Sequence, residues 1–288
     1  MEEIISLYKK YRLRNHLFVV VLLLFLFVVA IVALLAGAHR IGGRELLALL
    51  AGEGEEMNRR ILLYLRLPRM LAAVAVGAML SVAGAVMQVL LRNPLASPYT
   101  LGISNAAAFG ASVGIVCLGT ATALPGAVTL SAFLGSLLGL GIILLIIHLK
   151  RASVETMILS GVIINSLFGA GIAVMQYLAD HVQLASIVFW TFGDLGRGDW
   201  YNLAVLAVVL LPAMLYFCAR RWDYKALSAG DDYAVSLGVR PQRLRVAGLV
   251  VTSLCTAVAV SFFGVIAFVG LVVPHIVRKC IGDNEEFL

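Results

Sequence analysis

NPLASPYTLGISNAAAFGASVGIVCLGTATALPGAVTLSAFLGSLLGLGIILLIIHL, residues 93–149, decides the fold. From Asn93 to Leu149 it holds no Asp, Glu, Lys or Arg and a single histidine, His148. A bilayer core of about 30 Å is crossed by roughly 20 apolar residues in a helix. The run is therefore long enough to cross twice and must fold back. Gly119 to Gly126, which contains Pro125, supplies the turn. Helices are required because lipid offers backbone N–H and C=O groups no partner.

Working outward, the same pattern repeats. Met70 to Leu91 precedes the run, and before it Leu17 to Ala38 follows the basic cluster Lys9, Lys10, Arg12 and Arg14. Ala36-Gly37-Ala38 resembles a signal-peptide cleavage site, but the apolar stretch is too long for one and more spans follow, so an uncleaved first span is expected. Thr156 to Ala179 and Trp200 to Ala219 come next. Val246 to Val277 is too long for one straight helix and short for two, which predicts a break near Phe262 to Gly270. The expected fold is all-α, a polytopic transmembrane helical bundle of about eight spans forming a single domain over residues 1–288.

Composition agrees. The chain is 61% hydrophobic and 13% charged, too few charges for the wet surface of a soluble domain. A net charge of +6 raises nucleic acid as a partner, but the basic residues flank apolar spans, and membrane lipid is the simpler account. With the N-terminus inside, fifteen of the 22 Lys and Arg residues fall on the inner side, as the positive-inside rule asks. The segment between Ala38 and Met70 is anomalous: it lies outside yet holds Arg40, Arg44, Arg59, Arg60, Arg66 and Arg69. Gly110 with Gly114, and Gly135 with Gly139, have the spacing of small faces that let membrane helices approach closely.

Several chemistries have no support. No G-x-x-x-x-G-K-[ST] loop exists, so the chain cannot hold ATP through a P-loop, and no H-E-x-x-H or G-x-S-x-G motif appears. Cys117, Cys218, Cys255 and Cys280 make no C-x-x-C pair and read as small apolar residues. His275 after Pro274 stands alone. No catalytic site, metal or cofactor is expected. Glu155, Asp180 and Asp199 lie at span ends, not inside, which weakens an ion-coupled secondary transporter without removing it, because backbone carbonyls can hold sodium.

Four segments resemble the FecCD family of ATP-binding-cassette importer permeases. They are Arg66-Leu67-Pro68-Arg69 followed by Gly77, Gly84, Gln88 and Arg92-Asn93-Pro94-Leu95-Ala96; WTFGDLGRGDW from Trp190 to Trp200; Ala226 to Val239; and Gly264 to Arg278. The resemblance implies a membrane permease subunit for an iron-siderophore-type substrate in a bacterial or archaeal cytoplasmic (inner) membrane. Its implied partners are P-loop ATPase subunits inside, an extracytoplasmic substrate-binding protein outside, and a second permease subunit, identical or related. It also implies roles. Arg66 and Arg69 would dock the binding protein. Asn93 and Leu95, with Ser153 and Thr156, are candidates for a cytoplasmic gate. Asp231, Asp232, Tyr233, Leu237 and Gly238 would form the ATPase-coupling loop, a short helix with Gly238 at its C-terminal end. Trp190 and Trp200 are expected at the membrane interface. Family members have ten spans, two more than read here, and Asp283-Asn284-Glu285-Glu286 replaces the family's usual Asp-His-Arg. A non-transporting truncated remnant therefore stays open beside the importer and the ion-coupled carrier.

Overall fold

A computed structural model describes residues 2–37, 39, 41–118, 126–150 and 153–281. Among these residues there are thirteen α-helices and no strand. In chain order they are α1 (Glu2–Leu35), α2 (Gly43–Leu50), α3 (Glu56–Arg60), a π-helical turn (Ile61–Arg66), α4 (Leu67–Leu90), α5 (Ile103–Cys117), α6 (Ala127–Lys150) and α7 (Val154–Leu178). There follow α8 (His181–Thr191), a 3-10 turn (Leu195–Arg197), α9 (Trp200–Ala219), α10 (Arg221–Ala229), α11 (Asp231–Ser236), α12 (Pro241–Phe263) and α13 (Val269–Ile281).

Each of the eight expected spans is a helix, and the chain is an all-α membrane bundle. Among the described residues, six helical stretches are long and apolar enough to cross a bilayer. The other two, α5 with 15 residues and α13 with 13, are shorter. The turn expected over Gly119 to Gly126 lies outside the described residues except for Gly126, as do Ala38, Arg40 and Asp283 to Glu286.

The short α5 is possible because protein, not lipid, surrounds it. Ala106, Ala107, Gly110, Ala111 and Gly114 are all buried, against α6, α7, α8 and α12. A Cβ added at Gly110 would fall 2.2 Å from the Ser131 carbonyl oxygen, and one at Gly135 would fall 2.3 Å from that of Ala106. These small residues set α5 and α6 backbone against backbone. In the non-helical chain leading into α5, Ala96, Ser97, Pro98, Leu101 and Gly102 are buried, and its turn closes on itself through the Thr100 and Ser97 side chains. Irregular backbone at membrane depth is tolerated when protein satisfies it.

The second span differs from expectation. The apolar run begins at Met70, yet the helix runs unbroken from Glu56 to Leu90. Arg66, Pro68 and Arg69 read as an end, but the chain passes Pro68 by widening to a π turn. There the Leu67 N–H reaches back five residues to the Leu62 carbonyl. The anomalous basic segment is likewise folded, into α2 and α3, with Arg60 paired to Glu56 at 3.0 Å.

The break between α12 and α13 falls where expected. Gly264 has φ +75 and Phe268 φ +68. The Asp194 N–H donates to the Phe263 carbonyl at 2.7 Å, and Gly193 and Gly264 touch backbone to backbone. Two residues of the Trp190 to Trp200 motif, Gly193 and Asp194, thus form the joint that holds this break. Across the bundle α4 is central, against α9, α12 and α13. α1 stands apart, and its most apolar window has 0% of its residues buried.

Candidate functional site

The helices run so that one end of the bundle gathers the start of α1, the ends of α4, α6, α9 and α13, the starts of α7 and α12, and both α10 and α11. This is the basic end. The other end carries the π turn and the α12–α13 break.

At that other end, Arg66 is occupied within the chain. Its guanidinium donates to the carbonyls of Leu34 at 2.5 Å and Leu35 at 3.2 Å, and also to that of His39. The last carbonyls of α1 have no partner inside their own helix, and a cation there also suits the helix dipole. Gly37 is needed beside it: φ is +154, and an added Cβ would sit 2.6 Å from the Arg66 Nη2. Arg69, three residues on, is exposed and makes no ion pair among the described residues. Trp200 donates its indole N–H to the Leu63 carbonyl at 3.0 Å, inside the π turn. Trp190 is not interfacial as expected: it is buried with Ile187, Ala107 and Val260, because α8 folds it under the bundle.

At the basic end, the gate candidates hold their own turns. The Asn93 side chain accepts from the Leu95 N–H at 2.9 Å. The Ser153 hydroxyl caps α7, accepting from the Thr156 N–H at 3.2 Å, with the two hydroxyls 3.0 Å apart. Leu95 alone of the four offers a free apolar side chain, 67% exposed. The two segments are joined through α5 and α7, where Asn105 donates to Asn165 at 2.9 Å and Asn165 donates to the Thr100 carbonyl at 2.9 Å.

The predicted coupling loop is α11 with its cap. Gly238, at φ +82, lets its N–H reach the Val235 carbonyl at 2.9 Å while the Val239 N–H reaches that of Ala234 at 3.0 Å. This is a Schellman ending. Ala234 is fully buried, whereas Tyr233, Val235 and Leu237 are more than half exposed. Asp232 is exposed as well. Asp231 faces the other way, onto the bundle.

Asp231 meets two arginines whose importance sequence reasoning missed. Arg245, on α12 and only 3% exposed, grips it with both terminal nitrogens, at 2.8 and 2.7 Å. The same guanidinium donates its Nε–H to the Leu90 carbonyl, 3.2 Å away at the end of α4. Arg92, in a left-handed conformation at φ +44, hydrogen-bonds both Asp231 and the Leu227 carbonyl. A charge this buried needs partners, and Arg245 has them. The bidentate Arg245 bond holds the Asp231 carboxyl below the usual carboxylate range, against the opposing effect of burial. The signal was present: Arg245 opens an apolar span that begins at Val246.

Gln88 is a second such residue. Its amide donates to the Leu271 carbonyl at 3.2 Å and its oxygen accepts from Arg278, so it ties α4 to α13. Among the described residues no group of three or more His, Cys, Asp or Glu could hold a metal ion.

The FecCD transport family matches residues 22–288. A protein of Methanocaldococcus jannaschii named as an ABC transporter permease is 46% identical over 290 residues, covering 98% of this chain and 83% of that protein. The hemin transport system permease protein of Yersinia pestis is 37% identical over 233 residues, covering 79% of this chain and 69% of that protein. A solved inward-facing structure described as a metal-chelate type ABC transporter superposes with a TM-score of 0.81 at 28% identity, covering 92% of this chain and 82% of that one.

Proposed function

The chain belongs to the FecCD transport family and is an ABC transporter permease, and from that premise we propose that it carries a metal chelate of the ferric-siderophore type inward across the cytoplasmic membrane. It binds no nucleotide itself. Two P-loop ATPase subunits seat against α11, a substrate-binding protein docks at the opposite end, and a second permease subunit completes the pathway. The basic end faces the cytoplasm, consistent with its Lys and Arg.

The observation that carries this reading is the outward face of α11. Tyr233 and Val235 on this six-residue helix, and Leu237 at its C-cap, are large apolar side chains each more than half exposed. They lie among the basic residues of one end, not in an apolar belt where lipid would cover them. Exposed apolar side chains in such a place suit a protein partner. A metal-chelate cargo is supported by the relative that transports hemin and by the metal-chelate type transporter of like fold. At the opposite end Arg69 supplies the free docking charge and Arg66 sits behind it, fastening α1. Charge pairing of this kind steers encounter and sets register.

The test is co-purification. The tagged chain, extracted in mild detergent from its native host, is expected to bring a P-loop ATPase in stoichiometric amount, and Tyr233→Ser with Leu237→Ser to lose it. Retention of the ATPase by that double variant refutes the assignment of α11.

A further inference from the structure

We propose that Asp231 is a positioning residue, a pin through which Arg245 and Arg92 lock α11 to the turn at the end of α4. The inference rests on the reading of α11 as the ATPase-facing helix, and it separates the loop into two jobs. Tyr233, Val235 and Leu237 face out to the partner. Asp231 faces in and carries that partner's movement to Asn93 and Leu95.

The cluster joins one buried arginine, Arg245, to two partly exposed partners, Asp231 and Arg92. Arg245 is 3% exposed and makes three hydrogen bonds, two to the Asp231 carboxylate and one to the last carbonyl region of α4 at Leu90. Bidentate guanidinium–carboxylate pairing fixes orientation as well as distance. Arg92 closes the triangle from the other side. It lies in the turn itself, one residue before Asn93, and its left-handed backbone is an unfavourable state for a residue with a side chain. Its guanidinium bonds to Asp231 and to the Leu227 carbonyl at the end of α10 reward that conformation. One carboxylate thus fastens four chain segments: the end of α4, the end of α10, the start of α11 and the start of α12.

Within α11 itself only Ala234 is buried; α10 packs against both α11 and α4 through buried Tyr224 and Leu227, and the pin is the polar, directional link beside that apolar one. A displacement of α11 therefore loads the pin directly.

The experiment reads the turn directly. A nitroxide is placed at Leu95→Cys or at Leu237→Cys, with exposed Cys117, Cys218 and Cys280 replaced by Ser. The full chain is examined in lipid nanodiscs by electron paramagnetic resonance, first alone and then with its co-purified ATPase under ATP–vanadate. Alone, Asp231→Asn is expected to mobilise both labels, with loss of the immobilised spectral component, whereas Asp223→Asn, which removes an exposed pairing with Arg220, leaves both spectra as they were. With ATPase bound, the unmodified pin is expected to pass a nucleotide-dependent spectral change to the Leu95 label, and Asp231→Asn to abolish it while the ATPase stays attached. Spectra at Leu95 that are the same with and without Asp231→Asn overturn the pin. Failure of the unsubstituted chain to capture any ATPase refutes the assignment of α11 instead, and the label mobilities of the chain alone still decide the pin.

Discussion

Substituting Gly84 with alanine is expected to force α4 and α13 apart, and the expected size can be worked from the geometry. A Cβ added at Gly84 falls 1.7 Å from the Gly270 carbonyl oxygen, 2.4 Å from its carbon and 2.6 Å from its Cα. Ordinary contact lies at about 3.5–4.0 Å, and the obstacle is backbone, so no rotamer change relieves it. Overpacking of this kind costs about 1–3 kcal/mol. Separating the helices also pulls at the bond from Gln88 to the Leu271 carbonyl, 3.2 Å long, and a hydrogen bond contributes about 0.5–1.5 kcal/mol. The total is on the order of 1.5–4.5 kcal/mol. Gly77, two turns earlier in the same helix, has nothing within 4 Å of an added Cβ. There Gly→Ala stabilises by about 0.5–1 kcal/mol through helix propensity alone. The assay is thermal unfolding of both variants in mild detergent, followed by the folded fraction in size-exclusion chromatography. Gly84→Ala is expected to lower the midpoint by about 5–10 °C, with Gly77→Ala at or above the parent. Equal midpoints for the two variants refute the backbone contact between α4 and α13.

Arg66→Leu leaves the last carbonyls of α1 without their donor, so faster hydrogen exchange is expected just beyond α1 and in α2, with α12 unchanged; unaltered exchange near Leu35 counts against the cap. Arg69→Glu reverses an exposed charge and is expected to weaken capture of the substrate-binding protein with the ATPase still attached, and equal capture by both chains refutes its docking role. Asp231 has a carboxyl pKa depressed below its usual 3.8, so its contribution is fully present above that value and is lost as pH falls through the lower folded value. The nitroxide at Leu95 is therefore expected to stay immobile from neutral pH down to the usual carboxylate range and to loosen only below it. Loosening well above 3.8 contradicts the pin.

The membrane character, the all-helical fold and the break before α13 were all legible in the sequence, because each rests on a local quantity. Apolar run length decides whether a segment can cross lipid, and Gly264 with the residues around it marks where a long run must bend. The π turn was not legible. Arg66, Pro68 and Arg69 carry a helix-end signal, but the helix continues past them through the π turn, with Arg66 bonded to carbonyls at the end of α1. The end of α11 was legible through Gly238, since a left-handed residue after a short helix is a local demand. The inward direction of Asp231 was not, because Arg92 lies 139 residues back and Arg245 sits on another helix, and only packing brings both to it.

The sequence by itself determined that this chain lives in a membrane as helices, that it holds no nucleotide-binding loop, and which segments match its family. Hydropathy, backbone satisfaction and motif order are properties of neighbours along the chain, and no fold is needed to read them. The tertiary structure alone decided which arginine is free and which is committed. Arg69 stays exposed while Arg66 caps α1, and Arg245 is buried against a carboxylate and a helix end. In a chain with few charges, a guanidinium takes its role from the orphan carbonyls and carboxylates that packing brings within 3 Å or so, and packing is set by the whole bundle.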